Sequence, residues 1–310
     1  MKLGHGGSSR APLTRWVQII GPLLAASVIL AQWNKTDWNW VAWSEPRWLW
    51  FQLILAPVVF GLEAQLWRSA TAPSGFSNST LVSLRNTAVY AFYQLFLPAP
   101  AGEYAARLGP LAARDRSRAA QILLGLQAIK WQARLGLGGA CTLGIGLFLK
   151  LPAAVGLLGG ASLLASFALG ILIARGRRQS LPRWIPERWF PERSWPDIPH
   201  GLLLGVSVFK GLMYALSFAL FLKSMGGCAP LWIDWGAATA QYTLASLIPS
   251  WGWTEGLVLG GAGVLAFDVL GCSVTAVLQA SVLCWLLHTA LPGVLGSVWA
   301  GREMRLMGRT

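Results

Sequence analysis

Acidic residues are scarce: 12 Asp and Glu stand against 25 Lys and Arg in 310 residues, and charge of either sign makes up only 12% of the chain. A water-soluble domain carries roughly a quarter of its residues as charges, so an ordinary soluble fold is excluded. Long polar stretches are also missing. The longest connection runs over about 175–199, too short for a soluble catalytic domain, so any chemistry sits within or at a membrane. Cysteine and histidine are few and dispersed. Cys141, Cys228, Cys272 and Cys284 show no C-x-x-C spacing, and His5, His200 and His288 lie far apart. No metal site and no cofactor motif follows from that pattern.

What remains is apolar: 55% hydrophobic residues, 18 tryptophans and a mean hydropathy of +0.51. At roughly 20 apolar residues per crossing, the chain holds several spans and little else. The expected fold is all-α, a polytopic helical bundle of about six full spans and two re-entrant hairpins in one domain, 1–310, in the cytoplasmic (inner) membrane. Segments 16–33 and 48–67 each carry tryptophan at both ends, where indoles settle at membrane interfaces. The other expected spans are 119–150, 151–174, 201–225 and 273–299. Residues 1–15 before the first apolar run resemble a signal sequence, but Trp33 and Asn34 stand where a small-residue cleavage site belongs. A retained first helix is expected.

Basic residues in the connections set the orientation. Lys2, Arg10 and Arg15 place the N-terminus in the cytoplasm. If 80–98 crossed fully, Arg107, Arg114, Arg116 and Arg118 would all lie outside, against the rule. A helical hairpin over about 80–118, entering and leaving from the cytoplasm, returns them inside. Lys150 then falls outside, the 175–193 cluster inside, the 225–230 turn outside, and Arg302, Arg305 and Arg309 inside. That count closes only if 231–270 is a second hairpin, entered from outside. The halves 1–150 and 151–310 then form an inverted pseudo-repeat, the construction that in secondary transporters puts broken helices at the substrate site. The basic excess reports orientation and contact with anionic lipid, not nucleic acid.

The two expected tips look alike. Pro98, Pro100 and Gly102 break the first hairpin; Pro249 and Gly252 break the second. Glu103 and Arg107 are four apart, so on a helix beginning near Gly102 they share a face. Free amides at such a start favour a phosphate or carboxylate, and Arg107 adds a bidentate clamp. An ordinary surface ion pair accounts for the spacing equally well. Glu255 lies between apolar stretches, where a carboxylate costs a few kcal/mol. Lys130, Arg134 and Lys210 are candidate partners, and Trp251 and Trp253 candidate cavity walls; capping of a helix starting near Thr254 is the alternative. Glu63 reads as a neighbour of Arg68 near the end of its span. Tyr93, Gln94, Gln241 and Tyr242 precede the breaks and suit packing or a polar path. His288 suits a hydrogen-bonded place in the bundle. Cys228 and Cys272 both fall on the expected outer face, where a disulfide is allowed.

The stretch from Leu97 to Arg107, with its Gly102-Glu103 and downstream Arg107, resembles the first signature of the lysylphosphatidylglycerol synthase transmembrane-region family. Pro249 through Glu255-Gly256 is similar to the second, and 286–296, with Pro292 and Gly293, to the last helix. The chain departs from the family pattern at Ile129, where an acid precedes the base matched by Lys130, and at Trp285, where a basic residue is expected. The resemblance implies a flippase-like protein that moves a lipid or lipid-linked head group across the bilayer, its ligand anionic or polyprenyl-phosphate-linked. Lysyl-lipid-forming members carry an added soluble synthase domain, which this chain lacks. Two rival functions stay open: a non-transporting membrane partner of a lipid- or glycolipid-synthesis enzyme, docked through the basic 175–200 linker, and an intramembrane lipid-modifying enzyme. The second has no Ser-His, Asp-Asp or His-metal constellation behind it, only Glu103 and Glu255 as acid and base.

Overall fold

The computed structural model describes residues 23–31, 43–76, 79–97, 99–111, 113–178, 195–248, 250 and 252–307. These are helical throughout apart from turns, with no strand among them. After a helical segment at 23–31 come ten helices: α1 (Gln52–Thr71), α2 (Thr80–Phe96), α3 (Ala99–Leu108), α4 (Ala113–Phe148), α5 (Ala153–Arg178), α6 (His200–Ser224), α7 (Leu231–Leu247), α8 (Gly252–Asp268), α9 (Val274–Trp285) and α10 (Leu291–Met307). A π-helical turn, Leu286–Ala290, joins α9 to α10 in one continuous rod.

Local chemistry sets several helix starts. A 3-10 turn, Pro46–Phe51, leads into α1 with proline at its first position, where the missing N–H costs nothing. Ser79 and Ser273 cap α2 and α9, accepting from the amides of Val82 and Ala276. Proline immediately precedes α6 and α7.

The connections gather at two ends of the bundle. At one end, the amides of Ser44 and Glu45 donate to Ser224 O at 2.9 and 3.0 Å, and a Cys228–Cys272 disulfide joins the start of α7 to the start of α9. Phe148, closing α4, meets Trp232 edge-on there. At the other end, Arg68 donates to Thr80 Oγ1, Arg116 donates to Gly109 O and Leu111 O, and the amide of Trp195 donates to Gly176 O. Helices α1, α4, α5 and α6 run from one end to the other. Helices α2 and α3 instead fold back toward the end they came from, and α7 and α8 do the same from the opposite end. Gln241 on α7 donates to Leu259 O on α8, as antiparallel partners must.

Four helices are long and apolar enough to cross a membrane: Pro46–Ser74, Ala153–Gly176, His200–Ser224 and Val274–Gly301. They coincide with four of the six expected spans. Half of the expected span 16–33 lies outside the described residues, and the other half, 23–31, is helical. The expected 119–150 span is part of α4, whose 36 residues reach about 54 Å at 1.5 Å per residue, but whose charges keep it out of the apolar set. α4 begins at Ala113 and α3 ends at Leu108, so the first fold-back closes some ten residues earlier than expected from sequence.

Two large apolar cores hold the bundle, beside a small third one of Val89, Ala106 and Ala300. One joins Phe218, Leu222, Phe267 and Ala280 from α6, α8 and α9. The other joins Leu66, Ile122, Leu126, Ile173 and Leu203 from α1, α4, α5 and α6. Helix α5 contributes little more than Ile173 and leaves Leu157, Leu164 and Phe167 exposed. It lies tightly on α4: a Cβ on Gly139 would stand 2.8 Å from Gly159 O, so only glycine permits that approach. Along α1 the order Val59, Glu63, Leu66, and along α6 the order Leu203, Lys210, Tyr214, pass from one core to the other through a charged residue. The charges sit at the seam.

Candidate functional site

Burial at that seam is nearly complete, and the charges survive there by pairing. Glu63 Oε1 accepts from Arg107 Nη2 at 2.8 Å and Lys130 Nζ at 2.7 Å, and its Oε2 accepts from Lys210 Nζ at 2.7 Å. Glu103 Oε1 accepts from Arg107 at 2.9 Å and Lys130 at 3.1 Å, while Gln127 donates to its Oε2. The Arg107 guanidinium lies 4.6 Å from the Trp67 ring centroid and 5.6 Å from that of Tyr90, which supplies cation–π attraction to a buried cation. Four helices, α1, α3, α4 and α6, are fastened by this one network.

The network forms one wall of a cavity of about 460 Å³, within the roughly 300–1,000 Å³ typical of ligand sites. Arg134 on α4 faces it. Its guanidinium lies over the rings of Trp131 at 5.7 Å and Tyr242 at 5.4 Å, and among the described residues no carboxylate is within ion-pair distance of it. On the far wall, Gln94 Nε2 on α2 and Thr289 Oγ1 on the π-helical turn both donate to Glu255 Oε2, each at 3.2 Å. His288 beside Thr289 bonds Ser217 at 2.8 Å.

Both breaks meet at this cavity. Gly252 opens α8 against the carbonyl of Gln94, so closely that a Cβ would overlap it, and Gly102 on α3 packs on the same backbone, where a Cβ would stand 3.0 Å from the Gln94 nitrogen. Gln94 is therefore held between the two tips.

Of the residues singled out in the sequence, Glu103, Arg107, Lys130 and Lys210 are brought together, Arg134 and Glu255 line the same cavity, and Gly102 and Gly252 sit at the tips. Pro98, Pro249 and Trp251 lie outside the described residues, as do the side chains of Pro100, Trp253 and Arg114. Three expectations need correction. Lys130 and Lys210 are partners of Glu63 and Glu103, not of Glu255, because those carboxylates reach them from α1 and α3 first. Arg107 does not belong with the basic connection: its side chain is 1% exposed. Helix α3 starts at Ala99, so Glu103 lies past its first turn and meets cations, not free amides.

Glu63 is the functional-site residue that sequence reasoning passed over. It neighbours no cation in sequence except Arg68, which binds Thr80 instead. The available signal was position: Glu63 lies mid-way along an apolar helix, where a carboxylate needs a partner. Gln94 and Tyr242 line the cavity, whereas Gln241 is buried against Leu259 O. Among the described residues no group of three or more His, Cys, Asp or Glu side chains could hold a metal ion.

The chain matches no protein-family model and no curated protein.

Proposed function

We propose that this chain is a multi-pass protein of the cytoplasmic membrane that moves a lipid with an anionic phosphate head group between leaflets. In this reading α2–α3 and α7–α8 are re-entrant hairpins entered from the cytoplasmic and the outer side, the two halves are inverted repeats, and both termini are cytoplasmic. The resemblance of the tips to the lysylphosphatidylglycerol synthase transmembrane-region family points the same way. So does sidedness: Arg68, Arg116, Arg118 and Arg175 cluster at the end to which α2–α3 returns, and the disulfide closes the opposite end, as oxidising surroundings allow.

The observation that carries the reading is Arg134. Among the described residues around the cavity and its wall, three carboxylates (Glu63, Glu103, Glu255) face four cations (Arg107, Lys130, Arg134, Lys210), an excess of one positive charge. Of these four, Arg134 has aromatic walls and no carboxylate, and is left for a ligand. A planar guanidinium takes a phosphate bidentately, and a site between two broken helices is where transporters place one. The test is dithionite protection of fluorescently tagged phosphatidylglycerol in proteoliposomes. Arg134→Gln strands no carboxylate among the described residues and keeps an N–H donor beside Tyr242, so the protein folds, and translocation falls to the rate of empty vesicles. Wild-type translocation in that variant rejects the reading.

A further inference from the structure

We infer that Glu255 is a proton-binding site and that the lipid moves together with a proton; this rests on the transport reading above. The three buried carboxylates at the seam are not equivalent. Glu63 and Glu103 are held by Arg107, Lys130 and Lys210 within 3.1 Å. Protonating either would leave buried cations without counter-charge. Among the described residues Glu255 accepts from neutral donors, Gln94 and Thr289, and both bond the same oxygen, Oε2. Its Oε1 has no hydrogen-bond partner among the described residues, and Glu255 lines the cavity. A proton binds there as carboxylate plus H⁺ giving carboxyl, and leaves by the same oxygen.

The described groups facing Glu255 are consistent with that assignment. Arg134 from α4 and Lys210 from α6 act on it from beyond ion-pair distance. Tyr90, Tyr214, Tyr242 and Cys284 face it from α2, α6, α7 and α9 with hydroxyl and thiol groups. His288 is the one other group lining the cavity that ordinarily titrates near neutrality, and its ring is engaged by Ser217 and lies on Tyr214.

Charge exchange gives the coupling. In the empty cavity Arg134 and Glu255 offset each other at a distance. A phosphate on Arg134 takes over that cation and places negative charge beside Glu255, so proton and phosphate bind better together than apart. Loading one phosphate anion with one proton leaves the net charge of the buried site unchanged. Neutralising Glu255 also weakens the bonds from Gln94 and Thr289, since hydrogen bonds to an ionised acceptor are roughly twice as strong as neutral ones. Those bonds tie the first tip and the last helix to the second tip, so proton occupancy reaches the contact that must open for the head group to pass.

The test uses the intact protein in liposomes of phosphatidylcholine with tagged phosphatidylglycerol and entrapped pyranine. In wild type, an imposed pH gradient redistributes the tagged lipid between leaflets, and lipid movement is accompanied by a pyranine signal. Glu255→Gln abolishes both, and Glu255→Asp retains both. Lipid movement that ignores the gradient and carries no proton overturns this inference alone. A proton signal that survives in Glu255→Gln and vanishes in His288→Gln overturns it too. A wild type that moves no lipid under any gradient overturns the transport reading, and this inference with it.

Discussion

The two fold-backs share a shape and differ in how they are fastened. In each, an acid lies three or four residues into the helix after the break: Glu103 in α3, Glu255 in α8. The first is locked at its tip, where Arg107, Lys130 and Gln127 bind Glu103 and tie α3 to α1 and α4. The second is locked at its base, where Cys228 and Cys272, 44 residues apart, bracket α7 and α8. Its tip is held by two neutral hydrogen bonds to Glu255 and by Trp285 Nε1 donating to Gly252 O. One hairpin is thus fixed inside the bundle and the other outside it. Motion between them is expected where the charges are fewest, at Gln94, Gly252 and Glu255.

That contrast can be broken, most forcefully from the first side. Lys130→Met leaves Glu63 and Glu103 short of a shared cation deep in the bundle, which costs about 3–5 kcal/mol. Thermal unfolding of the purified protein in detergent should show a large drop in Tm. Breaking the base of the second hairpin with Cys228→Ser and Cys272→Ser costs about 2–4 kcal/mol, and reductant should lower the wild-type Tm by the same amount. Gly252→Ala forces a methyl group into the Gln94 carbonyl; overpacking of this kind costs about 1–3 kcal/mol, and the tips should part with loss of lipid movement. Glu255→Gln is the smallest: no cation is stranded, so stability changes by about 1 kcal/mol or less. A Tm for Glu255→Gln as low as that for Lys130→Met would erase the distinction between the two tips.

Much of this architecture was legible in the chain. Apolar runs marked α1, with tryptophan at both ends, and α5, α6 and the α9–α10 rod, because crossing a bilayer demands length and hydropathy that nothing else does. The breaks between α2 and α3 and between α7 and α8 were legible through proline and glycine. Their depth was not, because helix ends depend on which turn residues the neighbours tolerate, and Gly102 ended up inside α3. The site was half legible. Glu103, Arg107 and Lys130 announced themselves as charges in apolar surroundings. Their pairing did not, since Glu63 finds partners 44, 67 and 147 residues away and nothing local encodes that choice. The π-helical turn that aims Thr289 at Glu255 left no pattern in 286–290 beyond an ordinary apolar helix. Cys228 and Cys272 shared an expected face, but only the packing of α7 against α8 brings their Cα atoms to 5.2 Å.

The account depends most on the claim that α2–α3 turns back inside the bilayer instead of crossing it. Single cysteines at Thr80 and Ser117, both exposed, and at Asp268 at the end of α8, introduced with Cys141 and Cys284 replaced, test it with a membrane-impermeant maleimide on right-side-out and inverted vesicles. The account predicts that Thr80→Cys and Ser117→Cys react only in inverted vesicles and Asp268→Cys only in right-side-out ones. Reaction of Thr80→Cys and Ser117→Cys from opposite faces would contradict it.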